Sequence, residues 1–570
     1  MVWLACAMTP VALFYGFRGF DRDRMETLYC DYTFYFIAAA LFIWLQQVFS
    51  QLPPVAEMTS RFRRHLPALG VALTITVAAV FASPPDFRIL ADETNLLGMS
   101  MALYDDRACY NPTQVVSYYH GMKRVISKVT DMRPALFPFA VSAVHSLTGY
   151  RAANIFVVNA LAGFFALFLL YYLIQKPFGR FWGLVAMLLL AAFPVFVLYM
   201  TSAGFEVFNL MFALIFLLLL LRFIKYPAAA TAETMLLLLP LLAQTRYESA
   251  LAVLCAVPAV LLWLPRGEFS RFSLRLVLLP FLFLPVAWLR VITFSRQAFQ
   301  VKDIDQAFGL DLFIKNVQRA LPFFSGSDRA YGMVPVVTFL ALAGLIYVLS
   351  EWATRRADKP ADKTSINFLL VAGAFFLLHA IARFAYYWGD MTLQYTSRLG
   401  IIFLPALVFL AVCLLYRLSS LFAWGKGWAV VGAMLLIIHG WPVAGQNLAV
   451  RDILFYREFK TVREFLQREF PDFKDYIVVS EQANALAPLR YNTFTVRHLN
   501  ANVAGVKRDL RNRTWRYLLV VQKIETSSGE AIENSAVSPE FELETIYESQ
   551  LAVNRIIRIS RHNPPSETDR

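Results

Sequence analysis

The sequence predicts an all-α polytopic membrane protein with a small C-terminal soluble α/β domain, and three observations carry that expectation. Of its 570 residues, 58% are hydrophobic and only 16% charged, whereas soluble domains run at about half apolar and a quarter charged. Apolar runs close to the roughly 20 residues that a helix needs to cross hydrocarbon recur as far as residue 443, too many for one soluble core to absorb. Beyond about Val450 the hydropathy drops and soluble patterning replaces it.

Taken in order, spans are expected at 2–17, 31–49, 66–84, 152–174, 181–200, 207–224, 232–246, 249–264, 274–293, 333–350, 366–382, 399–416 and 427–443, about 13 in all. The first lacks a basic n-region and a second apolar segment follows it, so it reads as an uncleaved span and not a signal peptide. The piece RPALFPFAVSAVHSLTGY is only moderately apolar and reads as a juxtamembrane or partly re-entrant helix. Counting it as a span would place Lys176 and Arg180 outside, against the bias of Lys and Arg toward cytoplasmic loops.

With that orientation the connectors bearing Arg61, Arg63 and Arg64, Arg222 and Lys225, Arg266 and Arg271, Arg355, Arg356, Lys359 and Lys363, and Arg417 and Lys426 are all cytoplasmic. The formal charge of +13 is therefore expected to serve topology and lipid headgroups, with no nucleic acid as partner. The expected domains are two N-terminal spans (1–50), a membrane domain (51–445) with large external loops at about 85–151 and 294–333, and an external C-terminal domain (446–570). In that last domain FYREFKTVREFLQREF reads as an amphipathic helix, and DYIVVSE, NTFTVRH, WRYLLVVQKI and LAVNRIIRIS read as strands. The end, HNPPSETDR, reads as a tail.

Chemistry-bearing residues gather at the expected external boundary. Asp92 and Glu93 follow an apolar span and the Pro84-Pro85 break, where carboxylates are costly without a partner or a role. Adjacent carboxylates also oppose each other's ionisation, which can tune one toward a base; an ordinary capped loop is the alternative. Arg133 opens an Arg-Pro step; Glu206, with Asn209 a turn further, follows another span; Arg246, Tyr247 and Glu248 sit in a polar break between apolar runs. Arg383, Tyr395 and Arg398 belong to an aromatic and basic cluster before a late span. Acids and arginines at one level suggest a shared polar cavity, and arginine forks suit phosphate oxygens. Arg246 with Glu248 also fits a structural pair, and the aromatics an interfacial belt. Neither the five scattered cysteines nor the seven histidines show metal-ligand spacing. Acidic pairs at Asp105 and Asp106 and at Asp303 and Asp305 leave a divalent cation possible, though solvated loops explain them as well.

The order ADET, RPALFPF, Gly-Tyr-Arg, the acid at 206 and SRLGIIFLPAL resembles the GT-C glycosyltransferases, more narrowly the branch of protein O-mannosyltransferases and the lipid A aminoarabinose transferase, over roughly residues 66–443. The resemblance implies a GT-C-like membrane domain that transfers a sugar, usually with inversion, from a polyprenyl-phosphate donor to a glycan, lipid or protein acceptor outside the membrane, the bacterial periplasmic side being expected. By position Asp92 resembles the family's catalytic acidic residue, a general base for the acceptor hydroxyl, Arg133 and Arg398 its phosphate ligands, and Glu206 a second acid orienting acceptor or base. Two extra spans precede the acid loop, and Arg-Pro stands where the aminoarabinose branch has Lys-Pro-Pro, which leaves sugar and acceptor open. Relatives differ in metal use, so no cofactor is assigned. A transporter or flippase of lipid-linked sugars, and a noncatalytic envelope-assembly protein, are the competing classes.

Overall fold

The computed structural model describes residues 21–117, 123–294, 307–326, 333–354, 360–392, 394–422, 424–445, 454–532 and 534–562. The expected span at 2–17, the acids Asp303 and Asp305, the cations Arg355, Arg356 and Lys359 and the tail from 563 lie outside the described residues.

Among the described residues nine helices are long and apolar enough to cross a membrane, or ten if one bent pair counts as a single span. Of the about 13 expected spans, three of the described runs take a bent or shorter form. The run 181–200 is two helices, Arg180–Ala191 and Pro194–Met200, bent by 79°. Pro194 opens the second helix and has no amide proton to continue the first. Carbonyls near the end of that short helix are taken by Asn159, whose Nδ2 donates to Tyr199 O at 2.6 Å and Ser202 O at 2.9 Å. The runs 232–246 and 249–264 become the helix Ala229–Ala243 and a 3₁₀ turn, Tyr247–Ala252, leading into Val253–Trp263. Arg246 between them is extended (φ −157°, ψ 150°). At about 1.5 Å per residue neither short helix covers a bilayer core of about 30 Å, so polar backbone opens between them.

The chain divides into two compact units: Met1–Asp86, Met132–Ala140 and Ile155–Leu448 form the first, and Phe87–Asp131, Val141–Asn154 and Ala449–Arg570 the second. The first is helical. Helix Pro335–Thr354 approaches Leu404–Ser419 so closely at Gly344 that a Cβ there would fall 2.0 Å from Leu410 O. Small residues at such crossings let backbones meet where no hydrophobic force drives helices together.

The second unit is built on a five-stranded sheet. Its strands are β3 (Tyr476–Val479), β4 (Asn492–Phe494), β5 (Tyr517–Glu525), β6 (Glu544–Ala552) and β7 (Arg555–His562), in the order β4-β3-β5-β7-β6. β3 pairs in parallel with β4 and β5, and β7 antiparallel with β5 and β6. LAVNRIIRIS, read as one strand, contains a hairpin: it ends β6, turns at Val553-Asn554 and starts β7. Two further strands, β1 (Asn111–Ser117) and β2 (Lys123–Val129), pair antiparallel in the stretch between the early spans. β1 joins this unit: Val116 packs in the core with Ile477, Phe494, Trp515 and Leu518, and Ser117 N donates to Asn492 Oδ1 at 2.6 Å.

His145 is fully buried in this unit. The Asn154 amide meets its Nδ1 at 2.8 Å, and its Nε2 lies 3.2 Å from Ser100 Oγ, which donates onward to Leu97 O at 2.7 Å. The ring is therefore a neutral Nε2–H tautomer, with Nδ1 accepting.

Two outcomes are expected. Gly344→Ala lowers the melting temperature in detergent, while Gly373→Ala, with nothing within 4 Å, leaves it unchanged by scanning fluorimetry. Burial, aided by Arg490, pushes the His145 pKa down to about 4 from the ordinary 6.5, so the unfolded chain takes a proton that the folded one refuses. Stability is full above about pH 6.5 and falls by roughly 2–4 kcal/mol as pH drops toward 4. Hydrogen exchange around 95–105, corrected for intrinsic rate, measures it, and His145→Gln flattens the profile.

Candidate active site

The first unit assembles most of the expected residues around one carboxylate. Glu206 opens the helix Glu206–Lys225, where an acid suits the helix dipole, and is 3% exposed. Its Oε1 takes Arg246 Nη1 at 2.9 Å and Arg398 Nη1 at 3.1 Å. Its Oε2 is buried without a hydrogen-bond partner among the described residues and faces Gly204, where a Cβ would come within 2.4 Å. Arg246 also holds Glu248, Nε to Oε1 at 3.0 Å, and lies over the Phe205 ring at 4.9 Å. From this extended position one side chain reaches both Glu248, two residues on, and Glu206 on a separate helix.

Arg383, at the end of helix Pro360–Ala385, is buried, donates to Trp388 O, and lies within electrostatic reach of Glu248, Arg246 and Arg398. Three guanidiniums and two carboxylates, Glu206 and Glu248, thus gather here, and guanidinium forks of this kind suit phosphate oxygens.

The Arg133 segment lies alongside. Met132 O accepts from the Tyr247 hydroxyl, Arg133 O from the Tyr29 hydroxyl at 3.1 Å, and Ala135 N donates to Gln244 Oε1 at 3.2 Å. Tyr247 therefore has a positioning contact here, holding the Arg-Pro step against the break that carries Arg246. Asn209 is buried, its Oδ1 accepting from Thr245 and Ser249 hydroxyls at 2.6 Å each. Tyr395 packs edge-on against Trp388 at 5.4 Å and joins none of the ion pairs.

Two side chains that the sequence did not single out, Arg319 and Asn316, hold this loop. Asp390 binds Arg319 and accepts from Thr392 N at 2.9 Å, while its carbonyl accepts from Thr396 Oγ1. Asn316 Nδ2 caps the preceding helix through Phe384 O at 2.9 Å and Tyr386 O at 3.0 Å. Both Arg319 and Asn316 sit on helix Leu310–Ser325, whose amphipathic pattern within an overlong loop was the available signal.

The acid pair belongs to the second unit. Asp92 and Glu93 open helix Asp92–Asp105 after Ala91, which is held at φ 70°. Glu93 is fully buried and its Oε2 accepts from Arg88 N and, at 3.2 Å, from Ile89 N, so it closes the turn into the helix. Asp92 stays partly exposed. Arg88, buried beside the pair and likewise passed over, stands in the same FRILADE stretch. Among the described residues no three His, Cys, Asp or Glu side chains gather as a cation site.

The family model for dolichyl-phosphate-mannose-protein mannosyltransferases matches residues 132–290, the segment carrying Arg133, Glu206, Arg246 and Glu248. That segment is similar to the mannosyltransferase family, in line with the resemblance read from the sequence. Solved structures with partial likeness include ArnT from Cupriavidus metallidurans bound to undecaprenyl phosphate, at 13% identity over 87% of this chain and 97% of that one, TM-score 0.48. The Archaeoglobus fulgidus oligosaccharyltransferase follows at 12% identity, 80% and 69% coverage, TM-score 0.42. The mycobacterial arabinofuranosyltransferase AftD follows at 13%, 88% and 41%, TM-score 0.39. No curated protein matches the sequence.

Glu206→Gln leaves buried Arg398 and partly buried Arg246 short of charge, and removing one partner of a buried pair costs about 3–5 kcal/mol. A clear fall in melting temperature is expected, a smaller one for Gly204→Ala, and almost none for Arg468→Ala, whose pair with Glu469 is exposed on both sides; scanning fluorimetry in one detergent ranks the three.

Proposed function

We propose that this chain is a membrane glycosyltransferase that moves a sugar from a polyprenyl-phosphate donor to a hydroxyl of a cell-envelope glycan, lipid or protein at the external, periplasmic face of a bacterial inner membrane. The observation that carries this reading is the cluster of Arg246, Arg383 and Arg398 around Glu206 and Glu248, of which Glu206, Arg246 and Glu248 lie inside the matched segment.

In the reaction the acceptor oxygen forms a bond to the anomeric carbon as that carbon's bond to phosphate oxygen breaks. The acceptor's proton passes to the Asp92 carboxylate, and polyprenyl phosphate leaves with the bonding pair and one more negative charge. Arg398 and Arg246, with Arg383 and Arg133 nearby, stabilise that charge through fork-like donors whose strength grows as it develops. Glu206 positions two of those forks; it is not a second base in this scheme. Glu93 shapes the turn that presents Asp92. Asn209 orders the polar floor through Thr245 and Ser249, and Tyr395 lines the acceptor side.

The purified chain in nanodiscs, offered a panel of polyprenyl-phosphate sugars, is expected to release polyprenyl phosphate from at least one of them. Asp92→Asn is expected to lower that rate about 10²- to 10⁴-fold, the range for losing a general base. Arg398→Ala is expected to lower it about 10²- to 10³-fold. Equal release by Asp92→Asn and wild type would remove Asp92 as the base, and release from no donor would remove the donor class.

A further inference from the structure

The far end of two spans carries a second cationic site that the transfer chemistry does not use. His65, on helix Val55–Ala82, meets the Tyr171 hydroxyl through Nδ1 at 3.2 Å and packs edge-on against Phe168, Tyr171 and Tyr172 of helix Asn154–Phe178. Arg64, Lys176 and Arg180 all bear on it electrostatically, and no acid does. The three come from three helices, are exposed, and join no ion pair among the described residues. Lys176 Nζ is already seated over the Tyr172 ring at 4.6 Å. Three unneutralised cations over an aromatic floor are unfavourable together unless an anion joins them.

The surroundings say which anion. Leu161 and Phe165 continue the stripe of Phe168 and Tyr172 along the same helix face at i, i+4, i+7 and i+11, and both are about half exposed. Leu66 and Leu73 are exposed on helix Val55–Ala82. An apolar bed thus runs from the cations into the depth of the spans, over about 16 Å between residues 165 and 176. A free phosphate would use the cations and leave that bed idle; a lipid uses both.

We propose that Arg64, Lys176 and Arg180 bind the phosphate headgroup of an anionic phospholipid, with an acyl chain lying along Leu161 and Phe165. The basic connectors expected on the cytoplasmic side place it in the leaflet opposite the transfer chemistry. The site is independent of donor and acceptor identity.

The test is native mass spectrometry of the full chain in detergent, titrated with phosphatidylglycerol, with phosphatidylcholine, and with inorganic phosphate. Each cation near an anionic headgroup is worth about a factor of five, so R64Q/K176Q/R180Q should hold phosphatidylglycerol roughly 100-fold more weakly than wild type. The charge-keeping R64K/K176R/R180K should retain most of the affinity. Equal retention by wild type and the neutral triple variant, or phosphatidylcholine held as tightly as phosphatidylglycerol, overturns the proposal. Inorganic phosphate competing as well as the lipid overturns the lipid assignment. Should the triple variant not fold, K176Q alone, an exposed position, must bind about fivefold more weakly, and unchanged binding there overturns the proposal equally.

Discussion

One carboxylate oxygen, Oε1 of Glu206, receives guanidinium groups from two separate stretches of chain, and the helical unit is arranged around that demand. A buried acid and buried arginines each cost several kcal/mol to dehydrate, so each tolerates burial only with the others in place. The helix breaks fall where this matters. Arg246 is extended between two helices too short to cross, and Arg398 begins a 3₁₀ turn before Leu404–Ser419. Irregular backbone at such places is tolerated where polar side chains or a cavity receive it, and here the acids and arginines do so.

A chain of smaller contacts keeps the cluster in register. Asn316 ties an amphipathic helix to the end of Pro360–Ala385, and Arg319 ties it to Asp390. Asp390 then takes the Thr392 amide and the Thr396 hydroxyl, two residues before Arg398. The loop from 383 to 398 is thereby held at both ends, which fixes two arginines without requiring that either be on a long regular element. Tyr247 does the same for the Arg133 segment from the other side of the cluster.

In the second unit the two adjacent acids divide their work. Glu93 spends one oxygen on two backbone amides, and the turn it closes accommodates Ala91 at a positive φ, a conformation that costs a non-glycine residue of order 1 kcal/mol or more. That leaves Asp92, one residue earlier and partly exposed, as the member able to meet a solute. Mutual repulsion between the two carboxylates, the argument available from sequence, matters less than this division by burial. The sheet below it is completed from afar: β1, some 370 residues before its partners in sequence, lends Val116 to the core and its amides to Asn492 and Thr493.

By itself the sequence determined the class of the fold, because hydrocarbon thickness imposes a length and a composition that show directly in apolar runs. Among the described residues nine such runs appear as full helices. It also pointed to Glu206, Arg246, Glu248 and Arg398, because charged residues beside spans are too costly to be casual. Only tertiary structure decided that the runs around Pro194 and Arg246 break instead of crossing, since a proline or an arginine in an apolar context fits either outcome. It also decided that Glu206 serves two arginines, that Glu93 serves the backbone, and that β1 belongs with the C-terminal sheet. The pairing of Glu206 and the placing of β1 rest on partners 40 to nearly 400 positions away, and the turn that Glu93 closes rests on a backbone conformation; periodicity carries no record of either.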